Sequence, residues 1–235
     1  MPERPATPAP DAIPMRYYPV FLDIAEKPVV VIGGGNVALQ KVEGLADAGA
    51  QVTVVSPELH PRLREMVDTG GVKHIEREYR PGDLQGFKLA FVATDDRSAN
   101  ATVWQEGRER GVWVNAVDDI PNCDFIMPGI VRRGDLVLAI STTGASPAMA
   151  RKVREDLEGF LKEEDALLLD LAGEVRRELR EQDVTVRGCD RCDRGPTDVW
   201  NAALDADVKR LLAEGKWDRA KERLLKSLLA PSGQA

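Results

Sequence analysis

The sequence is poor in the residues that build metal centres, disulfide frameworks and membrane spans. It has two histidines and three cysteines in 235 residues. Three cysteines are too few, and odd in number, for a disulfide scaffold, which points to an intracellular, reduced setting, the cytoplasm. The histidines, His60 and His74, lie outside the motifs described below and are expected at the surface rather than on a metal. No apolar run approaches the ~18–20 residues that span a bilayer. The N-terminus lacks a basic segment followed by an apolar core, so no secretory signal is expected. Excess positive charge is also absent. With 32 basic and 39 acidic residues the net charge is −7, which argues against broad electrostatic binding of nucleic acid but leaves room for a local basic pocket.

Proline is the exception to this sparseness. Residues 1–14 hold five prolines, which neither a helix nor a central strand accepts, so a disordered tail is expected there. From Pro28 the pattern changes. Val29-Val30-Val31-Ile32 is a continuous apolar run of the kind buried on both faces of a parallel sheet. A helix is predicted over Asn36–Ala48, with Gly49 at its end. Strand Gln51–Val55, helix Pro61–Thr69, a weak strand Val72–Ile75, strand Lys88–Ala93, helix Arg97–Arg110 and strand Trp113–Asn115 follow. Strand and helix alternate over short connections, which predicts an α/β fold with a doubly wound parallel sheet.

The alternation stops near Asp118. Gly129-Ile130-Val131 and Leu136–Ile140, joined by the charged turn Arg132–Asp135, predict a small antiparallel hairpin. A hairpin alone is marginal, so it is expected to pack on a partner surface such as the same unit of a second subunit. Pro147 opens a long helical stretch, with Val153, Leu157, Phe160, Leu161, Leu168, Leu171, Val175 and Leu179 on its apolar face. Residues 183–197 break it, Thr197-Asp198 offers a cap for a helix Val199–Glu214, and Trp217–Leu229 reads as the last helix. The expected organisation is a tail (1–14), a nucleotide-binding domain (15–127), a β dimerisation unit (128–147) and an all-helical domain (148–235).

Gly33-Gly34-Gly35-Asn36-Val37-Ala38 supplies Gly33-x-Gly35-x-x-Ala38 between a predicted strand and helix. The first glycine permits the tight turn, the second lets the backbone approach a pyrophosphate, and the small third residue lets helix and strand pack closely. Amides at the helix start face the anion. The acid that usually closes the second strand is missing. That strand ends Val55-Ser56-Pro57-Glu58, where Ser56 has a hydroxyl for a ribose and Glu58 stands two residues late. On this chemistry NAD and NADP both remain open.

Two acidic turns follow strands. Thr94-Asp95-Asp96 either touches cofactor or caps the next helix. Asn115-Ala116-Val117-Asp118-Asp119 places a carboxylate where open α/β sheets bind ligands, either as a proton acceptor or as a plain turn aspartate. Ser141-Thr142-Thr143-Gly144-Ala145-Ser146-Pro147 brings hydroxyls and amides to a helix start. Arg132, Arg133, Arg151, Lys152 and Arg154 fall within 23 residues and read as a solvated basic face or as a clamp for a multiply anionic substrate.

Taken together, these residues resemble the bifunctional precorrin-2 dehydrogenase/sirohydrochlorin ferrochelatase proteins of siroheme synthesis. The likeness runs from about Tyr18 to Leu161. It rests on Tyr18-Pro19-Val20-Phe21-Leu22, on Val31–Ala38 with Lys41, on Ala93–Asp96, on Val114–Asp119, on Cys123–Pro128 and on Ser141–Pro147. The resemblance implies NAD-dependent oxidation of precorrin-2 to sirohydrochlorin and, in many members, insertion of Fe2+ to give siroheme; it also implies a homodimer paired through its hairpins. It carries the family's aspartate onto Asp118, for proton removal and chelation. It carries cofactor contacts onto Asn36, Val37, Pro57 and Glu58, beside Gly33, Gly35, Ala38, Ser56 and Thr94. The family's loop Ser-Ser-Gly-Gly-Thr-Ser-Pro matches residues 141–147 with its serine at Thr142, and with Ser141, Ser146, Arg132 and Arg151 forms the expected substrate set. No resident metal site is expected, because an inserted iron uses the macrocycle's own nitrogens. The family's fused methyltransferase domain is not found, so precorrin-2 is expected from another protein.

Cys189-Asp190-Arg191-Cys192 stands outside that likeness; it reads as an incidental loop, half of a four-thiolate site or a redox pair. Two rival functions remain: a nucleotide-sensing regulatory module, which accounts for the glycine turn and the hairpin but not for Asp118, the hydroxyl loop and the cations as one set, and a tetrapyrrole carrier without turnover.

Overall fold

A computed structural model describes residues 17–94, 97–117, 119–186 and 196–229. The proline-rich tail 1–14, Asp95, Asp96, Asp118, Cys189 and Cys192 therefore lie outside the described residues. The chain divides into two compact units, Met1–Met127 and Pro128–Ala235.

In the first unit, β1 (Pro28–Ile32), β2 (Gln51–Val55), β3 (Lys73–Ile75), β4 (Leu89–Val92) and β5 (Trp113–Ala116) form one sheet in the order β3-β2-β1-β4-β5. Every pairing in it is parallel. Alternate residues of each strand face opposite sides. Val29, Val31, Val52, Val54 and Phe91 pack with Ala38, Val42, Leu45 and Leu63 of helices α1 (Asn36–Asp47) and α2 (Pro61–Asp68). Val30, Ile32, Ala90, Val92 and Val114 pack with Leu84 and with Val103 of helix α3 (Arg97–Arg110). Double-sided burial accounts for the unbroken apolar runs. Neighbours β1 and β4 diverge in connection, one leading into α1 and the other into α3. The carboxyl ends of these two strands flank the topological switch point where such sheets bind ligands.

A polar lock ties α3 to the loop before β4. The Glu106 carboxylate is buried and accepts from the Tyr79 hydroxyl, from Gly82 N–H at 2.9 Å and from Leu84 N–H at 3.3 Å, and it pairs with Arg110 at 2.6 Å. Burial alone pushes this carboxyl up. The bonds from Tyr79, Gly82, Leu84 and Arg110 outweigh it and hold the group below its ordinary value. A lowered folded pKa means that the stabilisation is complete above the unfolded carboxyl pKa of about 4.3 and is lost as pH falls through the folded value. Glu106→Gln keeps one acceptor oxygen and turns its NH2 toward donors on the other side, either Tyr79 and Gly82 or Leu84 and Arg110. It is expected to cost about 2–4 kcal/mol at neutral pH. Urea titrations at pH 7 and below pH ~4 check this, with the variant losing less than the wild type over the acid window.

In the second unit, β6 (Gly129–Arg133) and β7 (Leu136–Ile140) pair antiparallel, with Gly134 and Asp135 as the two-residue connection and Gly134 at φ +54°. Helix α4 (Pro147–Phe160) lies against β6, and α5 (Glu163–Glu181) touches both strands. Helices α6 (Pro196–Ala203), α7 (Ala206–Ala213) and α8 (Trp217–Leu229) pack with α5 around Leu171, Val175, Val208, Leu212 and Leu224.

Two predicted helices are each divided. The long stretch from Pro147 breaks at Leu161, which is extended at φ −75° and ψ 126°, and Lys162; Asp165 accepts the Lys162 N–H at 2.8 Å and starts α5 afresh. The stretch Val199–Glu214 breaks at Leu204-Asp205, where Asp205 caps α7 by accepting Val208 N–H at 2.8 Å. Thr197 and Asp198 sit inside the first turn of α6 rather than before it. Phe125-Ile126-Met127 belongs to no strand. Among the described residues no helix is long and apolar enough to cross a membrane.

Candidate active site

The β1–α1 turn is closed on its inner side and open on its outer side. Gly33 has φ +112°, donates its N–H to Val55 C=O at 2.9 Å, and would place a Cβ 2.4 Å from Ala93 O. A Cβ on Gly34 would stand 1.9 Å from Glu58 O and 2.7 Å from Ser56 Oγ. Around the Cβ direction of Gly35 there is nothing within 4 Å. Gly35 is also the N-cap of α1, with no side-chain cap and no acidic residue in the first turn. The first amides of α1 thus face open space with no internal carboxylate competing for them, beside exposed Asn36 and Val37, while Ala38 is buried against the sheet. This arrangement suits a dinucleotide pyrophosphate.

At the end of β2, Ser56 is buried and its hydroxyl donates to Glu58 C=O at 2.7 Å. That proton braces the loop, so toward a ribose Ser56 offers acceptor lone pairs only. Pro57 and Glu58 are exposed beside it. His74 Nε2 lies 2.9 Å from Ser56 O, and His60 caps α2 through Nδ1, which accepts Arg62 N–H at 3.2 Å. Both histidines, expected at the surface, have intermediate exposure and lie against backbone groups. Thr94, partly buried, follows β4.

The loop after β5 is held from several sides. Buried Asn115 donates to Phe125 C=O at 2.9 Å, and Asp124 accepts Val114 N–H at 2.9 Å. Cys123 Sγ accepts Ala116 N–H at 3.2 Å and donates to Ala116 C=O at 3.1 Å. Burial pushes the Cys123 thiol up, so it stays protonated and structural. Asn122 donates to Asp119 at 2.7 Å and Val117 N–H to Val92 C=O at 3.0 Å. Asp118 belongs to this braced loop in sequence.

In the second unit, the hydroxyl loop is a folded turn. Thr142 Oγ1 donates to Ser146 C=O at 3.1 Å and accepts Ser146 N–H at 3.3 Å. Ser146 caps α4 by accepting Met149 N–H at 3.2 Å, and exposed Ser141 accepts Thr143 N–H at 3.0 Å. Thr143 at φ +53° and Gly144 at φ +85°, closed by Ala145 N–H to Thr142 C=O at 2.9 Å, have the pattern of a type I′ turn. A β-branched residue is strained there, and the family motif quoted above has glycine at this place. Thr143→Gly is expected to stabilise the second unit by about 1 kcal/mol, read as a higher urea midpoint.

The cations resolve mainly into a paired face. Arg151 bonds Glu155 at 2.8 Å, Lys152 bonds Asp156 at 3.2 Å and Arg154 bonds Glu158 at 2.5 Å, all at i,i+4 along α4. Arg133 donates to Glu158 C=O at 3.1 Å. Arg151, expected as a substrate contact, is exposed and ion-paired with Glu155. Exposed Arg132 is left as the cation of the five whose guanidinium has no hydrogen bond or ion pair among the described residues. Such surface pairs are weak enough to be exchanged for a ligand carboxylate. Among the described residues no group of three or more His, Cys, Asp or Glu is arranged to hold a metal ion.

Sequence reasoning missed Glu106 and Tyr79, whose bond links positions 27 apart, and Asn100, a buried amide on α3. The signal for Glu106 and Asn100 was their spacing from Val103 on the sheet-facing side of α3.

Comparison with known proteins agrees with the sheet and the turn. An NAD(P)-binding family model matches residues 20–129, and the model described as sirohaem biosynthesis protein central matches 133–159. Siroheme synthase of Photobacterium profundum is 35% identical over 94% of this chain and 46% of its own length. Siroheme synthase 1 of Aeromonas salmonicida is 40% identical over 71% of this chain and 36% of its own length. The chain thus spans less than half the length of these relatives. A solved structure, "SirC, precorrin-2 dehydrogenase", is 26% identical with a TM-score of 0.73, over 89% of this chain and all of that one. The nucleotide-binding unit, the hairpin region and nearly the whole chain length are accounted for together, and the chain belongs to the siroheme synthase and precorrin-2 dehydrogenase family.

Proposed function

We propose that this protein oxidises precorrin-2 to sirohydrochlorin with NAD. The observation that carries this reading is the β1–α1 turn, packed at Gly33 and Gly34 and open at Gly35 beside uncapped α1 amides. Bound NAD supplies the hydride acceptor. Gly33, Gly35, Asn36, Val37 and Ala38 hold its pyrophosphate, and Ser56, Pro57, Glu58 and Thr94 border its ribose groups. Glu58 close to the end of β2 disfavours a 2′-phosphate, which supports NAD over NADP. Asp118 removes the proton that accompanies hydride loss. Ser141, Thr142, Ser146, Arg132 and, after exchange of its Glu155 partner, Arg151 engage the substrate carboxylates.

The name of the relatives, siroheme synthase, favours a second reaction in which Fe2+ is a substrate inserted into sirohydrochlorin. The two-stranded sheet β6-β7, with no third strand bonded to either edge among the described residues, supports a homodimer paired through residues 128–147, with 148–235 as a helical domain. We place the protein in the cytoplasm, with no nucleic-acid or membrane partner.

The test is anaerobic incubation with precorrin-2 and NAD, following NADH absorbance and the macrocycle spectrum, then addition of Fe2+. NADH formation is expected. Metallation faster than the enzyme-free rate supports the second reaction, and metallation at that rate limits the protein to dehydrogenation. Macrocycle binding without NADH rejects the enzyme in favour of the carrier. NAD binding without macrocycle binding favours the sensor.

A further inference from the structure

Asn100 is the polar residue that the fold leaves unexplained. It lies in the first turn of α3, on the face that also buries Val103, Glu106 and Gly107. Only 4% of it is exposed, and its Oδ1 has no hydrogen-bond partner among the described residues. The other buried oxygen without a hydrogen bond among the described residues, Glu178 Oε2, faces Lys221 Nζ at 2.8 Å and is satisfied by charge. Glu106, two turns further along α3, shows what this face does with a polar group that serves the fold, since it has four partners. A buried carbonyl without a donor opposes folding, and an apolar side chain of similar size would remove that penalty. The donor it awaits is therefore sought outside the described chain.

The place of Asn100 names the donor. Helix α3 starts from the carboxyl end of β4, so its first turn borders the switch point between β1 and β4. A dinucleotide with its pyrophosphate at the β1–α1 turn has one nucleoside toward β2 and the other toward β4 and β5. The nicotinamide end carries a carboxamide, whose N–H groups complement a lone carbonyl oxygen. We propose that Asn100 is a positioning residue whose Oδ1 accepts the carboxamide N–H of bound NAD and so sets the orientation of the nicotinamide ring. The inference rests on the NAD reading above.

The experiment uses the full-length protein and calorimetric titration with three probes. NAD has the carboxamide. 3-Acetylpyridine adenine dinucleotide has a methyl group in place of its NH2. ADP-ribose lacks the nicotinamide. The wild type is expected to prefer NAD over the acetylpyridine analogue by about tenfold or more. Asn100→Leu is expected to abolish that preference, to leave ADP-ribose affinity within about twofold, and to leave the apo melting temperature unchanged or higher, because no bond is lost. Asn100→Ala repeats the test with a side chain that fits in any packing. Equal binding of NAD and its analogue by the wild type overturns the inference. So does a preference that survives in the variants, or an equal loss of NAD and ADP-ribose binding. Failure of the wild type to bind either NAD or ADP-ribose overturns the cofactor reading itself, and this inference with it.

Discussion

Gly35→Ala is expected to melt within about 2 °C of the wild type while binding NAD at least about 100-fold more weakly. Gly34→Ala is expected to do the reverse damage, destabilising the first unit by about 1–3 kcal/mol before any ligand is added. The two glycines are adjacent, and their difference lies in what a methyl group would meet. At Gly35 the backbone is at φ −83° and ψ −164°, open to any residue, and the Cβ would project into space with no atom within 4 Å. That space is where the resemblance places a pyrophosphate. An alanine there costs the free protein little beyond a small change at the α1 N-cap. At Gly34 the Cβ would overlap Glu58 O at 1.9 Å and crowd Ser56 Oγ at 2.7 Å. The same carbonyl accepts the Ser56 hydroxyl, and Gly34 C=O accepts His60 N–H at 2.7 Å, so the turn and the end of β2 would have to separate together. Thermal denaturation with and without NAD separates the two variants. A Gly35→Ala protein that binds NAD as the wild type does would remove the turn from cofactor binding.

The parallel sheet was legible because its strands are short, apolar on both faces and punctuated by glycine. Val29–Ile32 and Gln51–Val55 declare themselves through composition alone. The breaks at Leu161-Lys162 and Leu204-Asp205 did not, since neither contains glycine or proline and the apolar spacing runs on through both. A helix restarts there because a carboxylate three residues on, Asp165, or at the cap, Asp205, accepts a backbone N–H. Asp165 and Asp205 look like ordinary surface charges in the sequence. The paired face of α4 was legible in principle. Arg151/Glu155, Lys152/Asp156 and Arg154/Glu158 all stand at the spacing that brings opposite charges together on a helix. Reading the cations without their acids made a clamp look as good as a solvated face. The Tyr79–Glu106 bond joins a loop to a helix 27 residues away, and no local periodicity encodes it. The same holds for Asn100, whose missing partner is visible only once its surroundings are known.

Asp118→Asn is expected to keep NAD affinity within about twofold and to lower the rate of NADH formation from precorrin-2 by about 100- to 10,000-fold, the usual range for removing a general base. The substitution is nearly isosteric and removes only the basic oxygen. The bonds of the residues on either side in sequence support the expected affinity. Asn115, Cys123 and Asp124 brace the described residues of the loop after β5, and Val117 is tied to Val92 in β4. With the rest of the loop braced in this way, the exchange is expected to leave the carboxyl edge of the sheet in place and to test the proton transfer. The proposed pyrophosphate contacts belong to the β1–α1 turn, a different loop from the one after β5. Anaerobic single-turnover measurements with saturating NAD read the chemical step, and calorimetry reads the binding. A variant that forms NADH at the wild-type rate takes Asp118 out of the reaction. One that loses NAD binding in parallel with turnover makes it a cofactor contact instead. Where chelation is present, the same variant is expected to lose acceleration of Fe2+ insertion, since the carboxylate that takes the proton accompanying hydride loss would also accept and pass to solvent, one at a time, the two N–H protons that Fe2+ displaces.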